Sequence, residues 1–127
     1  MGYLWIALGG ALGSVGRFAA SGFVARSTGG ALPWGTLLVN VTGSLLIGFA
    51  AGLWLSDGKL ALSADARAFL MIGVLGGFTT FSTFSLETLN LIRAGEWLWA
   101  FANVAGSIAL CLVAVWLGHM GGAALAR

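Results

Sequence analysis

The sequence predicts an all-α membrane protein of four transmembrane helices, the third broken near mid-membrane. Three observations carry this. Of 127 residues, 59% are hydrophobic and only 8% are charged, with a mean hydropathy of +0.99; a soluble domain carries about a quarter charged residues. The apolar residues fall into four blocks, each reaching the roughly 20 residues that cross about 30 Å of hydrocarbon. Inside the third block stands Gly76-Gly77-Phe78-Thr79-Thr80-Phe81-Ser82-Thr83-Phe84-Ser85. It is apolar enough for lipid but a poor helix former, because paired glycines are followed by β-branched and hydroxyl residues. Interrupted backbone at membrane depth is tolerated only where protein or a water-filled cavity surrounds it.

The whole chain, residues 1–127, reads as one transmembrane domain, the natural count for this length. The first span covers about residues 3–25. It lacks a basic leading region and a convincing cleavage site, so it is a span and not a signal peptide. Along it Gly9, Gly13, Gly16 and Ala20 share one side of a helix. Small residues at that spacing let another helix approach closely, within the chain or from a second copy. Arg26-Ser27-Thr28-Gly29-Gly30 forms a loop, and Pro33 opens the second span, about 34–55. Ser56-Asp57-Gly58-Lys59 closes that span, and Ser63-Ala64-Asp65 is a helix entry. The third span, about 66–92, would be a straight rod of about 40 Å at about 1.5 Å per residue. Tilt is one way to fit it; two half-helices with a break near 76–80 is the better one. Arg93-Ala94-Gly95-Glu96 leads to the fourth span, about 97–118, and a Gly/Ala-rich tail follows. Trp5, Trp34, Trp54, Trp97, Trp99 and Trp116 lie near block ends, as interfacial aromatic belts require.

Four spans place Lys59, Arg67 and Arg127 on one side and Arg26 and Arg93 on the other. The positive-inside rule reads Lys/Arg excess in short loops, and here that excess is nearly nil. Charge alone therefore leaves open insertion in both orientations, with antiparallel pairing, and insertion in one. The net charge of +2 comes without a basic run, so no nucleic acid partner is expected. Cys111 is alone, which excludes an intrachain disulfide. There is no His/Cys/acid cluster at metal spacing and no nucleophile with a base motif, so no enzyme is expected. Gly9-Gly10-Ala11-Leu12-Gly13 follows no predicted strand and is not a dinucleotide loop.

Polar groups in hydrocarbon usually face the bundle or a cavity. Thr36, Asn40 and Ser44 recur every four residues on one face of the second span, and Gly43 keeps that face narrow. Asn103, Ser107 and Cys111 repeat the pattern on the fourth. Each stripe alone is explained as well by interhelical hydrogen bonds; together with a broken third span they indicate a polar pathway. Phe81 and Phe84 stand three residues apart. Phenyl edges are positive and attract an anion, whereas the faces attract a cation. Asn40, Thr80, Ser82 and Thr83 supply hydrogen-bond donors without fixed charge, and a half-helix N-terminus adds a positive dipole end. Arg17 either raises anion concentration in a vestibule or holds backbone carbonyls. Glu87 is either a proton-coupling carboxylate or a local brace. His119, near the end of the fourth span, needs no special role.

Gly-Gly-Phe-Thr-Thr-Phe-Ser-Thr-Phe-Ser-Leu-Glu, residues 76–87, resembles the signature of the CrcB/Fluc fluoride channel family. Residues 35–43 resemble that family's second-helix motif, and Gly9-Gly10 with Gly13 and Arg17-Phe18 its first. The resemblance covers the whole chain; the third-segment motif is its specific part. It implies a dual-topology homodimer of antiparallel subunits in a prokaryotic-type plasma membrane, with two fluoride pores along the subunit interface. Asn40 would be the pore asparagine, and Phe81 and Phe84 the pore phenylalanines combined across subunits. Ser82 and Thr83 would be the adjoining hydroxyls, Ser107 a fourth-helix hydroxyl, and Thr36 a further member of the pathway. A structural sodium ion is implied, bound by main-chain oxygens of Gly76 and Thr79. Family members commonly carry a tyrosine near the pore in the fourth helix, where this chain has Asn103. The implied physiology is passive fluoride export. Hydrogen fluoride crosses membranes uncharged, ionises in a neutral cytoplasm and is trapped there, and a selective pore lets the negative membrane potential expel it. Two other classes compete. A small proton-coupled multidrug exporter would have to use Glu87, since the first span has no acid. A non-transporting membrane subunit would conduct nothing.

Overall fold

The chain's one proline, Pro33, stands one residue before a helix, and the long apolar runs free of proline are helical. The computed structural model describes residues 1–54 and 62–127. Helix α1 is Gly2–Thr28 and α2 is Trp34–Trp54. Ala64–Arg67, Ala68–Leu75 and Gly76–Phe78 follow one another as a single rod, α3. Then come α4, Phe81–Arg93, and α5, Trp97–Leu125. There is no strand among the described residues. Leu55 and the Ser56–Lys59 closure of the second span lie outside the described residues, and so does the place of Lys59 in the charge balance.

The predicted entry to the third span is an N-cap. The Ser63 hydroxyl oxygen accepts the Ala66 N–H at 3.2 Å, giving one orphan donor of the first turn a partner. From Ala68 to Leu75 the rod is wound as a π-helix, a wide form that clusters at functional sites. This wide stretch lies against α1. A Cβ at Gly9 would collide with the Phe69 carbonyl, and one at Gly13 with the Val74 carbonyl. Gly9 and Gly13 of the first span's small-residue stripe thus serve packing inside the chain.

Helices α2 and α5 form the other close pair. A Cβ at Gly48 would strike the Val115 carbonyl, at Gly52 the His119 carbonyl, at Gly118 the Leu45 carbonyl and at Gly122 the Phe49 carbonyl. Lipid tails are as apolar as leucine, so contact of this kind, and not water exclusion, holds membrane helices together. Because Gly118 and Gly122 sit on the α2 backbone, α5 continues to Leu125. The tail predicted to follow residue 118 is therefore helical. Gly95 reverses α4 into α5 with φ 79°, a conformation that costs glycine little.

The third span is interrupted only at Thr79 and Thr80, both extended. That is shorter than the predicted 76–80, because Gly76–Phe78 stay helical. Trp34–Trp54, Ala64–Arg93 and Trp97–Leu125 are each long and apolar enough to cross a membrane. At 27 residues α1 is long enough too, but its glycines, serines and Arg17 leave it less apolar than those three.

Candidate functional site

A helix that stops inside a membrane leaves backbone donors and acceptors to be matched. Asn40 of α2 matches both groups of Thr80. Its Oδ1 accepts the Thr80 N–H at 2.7 Å, and its Nδ2 donates to the Thr80 carbonyl at 3.0 Å. Thr80 in turn caps α4: its Oγ1 accepts the Thr83 N–H at 3.2 Å and donates to Thr83 Oγ1 at 2.9 Å. Thr79 closes the end of α3, its hydroxyl donating to the Leu75 carbonyl at 3.1 Å. Its own carbonyl accepts from Arg17 Nη1 at 3.3 Å. Gly43 makes room for this, since a Cβ there would run into Thr79 Cγ2.

Between α2, the break and α5 lies a cavity of about 380 Å³, lined by Asn40, Ser44, Thr79, Thr80, Phe81, Phe84, Ser107 and Cys111 among others. Among the described residues, no charged side chain lines it. The Phe81 and Phe84 rings meet at 5.2 Å between centroids, inclined by 50°. Phe84 is buried, but Phe81 is 77% exposed. The N-terminus of α4 starts at this cavity, so its free N–H groups and positive dipole end add to the local field. The second Asn40 Nδ2 hydrogen and the Ser44 and Ser107 hydroxyls, with two phenyl rings and a dipole end but no formal charge, are groups that can meet a small anion.

The predicted site residues divide across the break. Asn40, Phe81, Phe84 and Ser107 come together in the uncharged cavity. Thr36 and Thr83 lie on the other side of the break, in a second cavity of about 450 Å³ with Arg17, Ser14 and Ser21. They also line a third, about 430 Å³, with Glu87 and the loop from Gly29 to Pro33. There Thr36 Oγ1 donates to Glu87 Oε1 at 2.8 Å, while Glu87 Oε2 is buried without a partner. Ser82 is exposed and lines none of these three cavities. Arg17 both holds the Thr79 carbonyl and lines the second cavity. Thr80 is the joint of the site, although in sequence it is only one donor among several. A threonine directly before a resumed helix is the capping signal that identifies it.

Main-chain oxygens such as those of Gly76 and Thr79 are the ligand type that a small hard cation prefers. The Thr80 N–H, four residues beyond Gly76, goes to Asn40, so it does not occupy the Gly76 carbonyl as a helical donor would. Gly76 is exposed, and the Thr79 carbonyl has a second lone pair beyond the one that meets Arg17.

The description CrcB-like protein, Camphor Resistance (CrcB), matches residues 4–119. A protein of Opitutus terrae named fluoride-specific ion channel FluC is 64% identical over 118 residues, 93% of this chain and 89% of that one. One of Methylocella silvestris with the same name is 57% identical over 120 residues, 94% of this chain and 92% of its own. A third so named, from Thermus thermophilus, is 50% identical over 123 residues, 97% and 94% of the two chains.

Proposed function

This chain belongs to the CrcB family, and on that premise we propose how its broken helix passes an ion. It is a fluoride ion channel, an integral membrane protein of the bacterial plasma membrane, and not an enzyme. The ion path runs through the uncharged cavity beside the break, with Asn40, Phe81, Phe84 and Ser107 in its wall. The observation that carries this reading is that cavity: donors and phenyl rings gathered at a helix N-terminus, with no charge among them.

Fluoride is small and strongly hydrated. Moving even a carboxylate-sized ion into a dry interior costs of order 20 kcal/mol in the idealised limit. Hydrogen bonds to an ion each contribute about 1.5–3 kcal/mol, so no single donor suffices, and several acting with ring edges and a dipole end are required. A fixed cation in the wall would bind the ion more tightly than conduction allows, since an ion must leave as readily as it enters. Arg17 lies behind the break instead, in the second cavity with Thr36 and Thr83, where it raises the local anion concentration without holding the ion in the narrow part.

All four segments, α1, α2, α3–α4 and α5, cross the membrane, α1 being held against α3 by Gly9 and Gly13. Two copies pair in opposite orientations, each cavity being completed by the other copy, which gives two pores. The 77% exposure of Phe81, a ring that also lines the cavity, supports this. A sodium ion held by the main-chain oxygens of Gly76 and Thr79 would tie the break to its neighbour through charge. Flux is passive and driven by the membrane potential. The test is fluoride-electrode recording from proteoliposomes of the purified protein. Electrogenic fluoride efflux with little chloride flux is expected, and no efflux, or efflux that follows a proton gradient, overturns the reading.

A further inference from the structure

Asn103 is 2% exposed, with Val39 one of the two large side chains most completely buried among the described residues. It does not line the uncharged cavity, but it sits one turn before Ser107, which does. Its Nδ2 donates to Thr88 Oγ1 at 2.9 Å, and Thr88 Oγ1 donates to the Phe84 carbonyl at 2.8 Å. The polarity of this chain is fixed. A threonine hydroxyl has one proton and two lone pairs; here the proton goes to Phe84, and the lone pairs are free to receive the Asn103 amide. Helix α5 packs chiefly along α2 and only sparingly on α4. Only the Asn103–Thr88 bond crosses from α5 to α4, and the Thr88–Phe84 bond runs one turn back along α4, so the crossing bond ties α5 to the turn that carries the Phe84 ring.

We propose that Asn103 and Thr88 form a hydrogen-bond relay that positions the Phe84 ring, and that the relay sets how well the channel distinguishes fluoride from a larger halide. Neither residue touches the ion; both are positioning residues. The inference rests on the reading above that Phe84 walls the pathway. Its physical basis is that a ring edge acts on an anion only in the right attitude. The attitude of a ring on α4 follows the roll of α4, and the relay pins that roll to α5. Consecutive hydrogen bonds polarise one another, so breaking either one weakens the other.

The experiment is fluoride and chloride efflux from proteoliposomes for Thr88→Val, Asn103→Leu, the double variant, Thr88→Ser and Phe84→Ile, each checked for folding by gel filtration. Thr88→Val keeps the shape and removes the relay, and it carries the test even if Asn103→Leu does not fold. Expected are a loss of about tenfold in fluoride efflux for each single variant, the size of one hydrogen bond, and a lower fluoride-to-chloride ratio. The double variant should be no worse than the poorer single, because the two act as a unit. Thr88→Ser, which keeps the hydroxyl, should restore both rate and ratio. A purely structural role would lower yield and leave the ratio alone, and that result overturns the proposal. So does normal behaviour of Thr88→Val beside an impaired Phe84→Ile, or fully additive losses in the double variant. Normal flux in Phe84→Ile would instead overturn the pathway reading, and the relay with it.

Discussion

At the scale of the residue, Asn40 decides most. Its amide answers both backbone groups of Thr80, at 2.7 and 3.0 Å, as a neighbouring peptide would. Replacing Asn40 by Asp keeps the acceptor for the Thr80 N–H, but it sets a negative oxygen against the Thr80 carbonyl and puts a like charge in the wall of the proposed anion path. Losing a donor and gaining that repulsion is worth about 3 kcal/mol, so fluoride efflux should fall about a hundredfold, as read by fluoride electrode. Phe81→Ile keeps apolar bulk and removes the ring edge. Aromatic geometry contributes about 0.5–1.5 kcal/mol beyond burial, so a loss of up to about tenfold is expected, and unchanged flux would remove the ring from the mechanism. Both residues stood out in the sequence by type. Their relation to Thr80 did not, because the Asn40–Thr80 contact joins positions 40 residues apart.

At the scale of the element, glycines set how closely the helices approach. Gly48 and Gly118 face backbone of the opposite helix, so a side chain has nowhere to move, whereas Gly106 has open space around it. Overpacking typically costs about 1–3 kcal/mol. Gly48→Val and Gly118→Val should therefore lower the unfolding midpoint in detergent, followed by tryptophan fluorescence. Gly106→Ala should hold it or raise it, since alanine favours a helix by up to about 1 kcal/mol over glycine. The glycine periodicity of the first span was legible, and its partner was not. The same holds for α5, where Gly122 read as part of a tail although it packs on the α2 backbone. The break was legible as a weakness over 76–80, but the structure confines it to Thr79 and Thr80. Propensity marks where a helix is weak. The hydrogen bonds from Asn40 decide where it opens.

At the scale of the whole molecule, the uncharged cavity is walled by one ring that is buried and one that is largely uncovered. A second copy related by a two-fold axis in the membrane plane would cover it. The prediction is that copies insert in both orientations in comparable numbers. It is checked by placing a cysteine at Arg127 in a Cys111→Ser background and labelling intact cells with an impermeant thiol reagent before and after permeabilisation. About half of the sites should label from outside, an outcome that the charge balance permits without requiring; labelling from one side only would refute antiparallel pairing.

The sequence by itself determined the class, the family and the neighbourhood of the helix break. Hydropathy, span length and the 76–87 motif are local properties, legible wherever neighbouring residues are read together. Only the tertiary structure decided which polar groups meet. Thr36 and Asn40 share a helix stripe, yet Thr36 bonds Glu87, 51 positions away, while Asn40 bonds Thr80. Helical periodicity states which residues share a face but not what stands opposite them. That depends on helix pairs brought together by glycine contacts, and on a break whose free backbone groups choose their own partners.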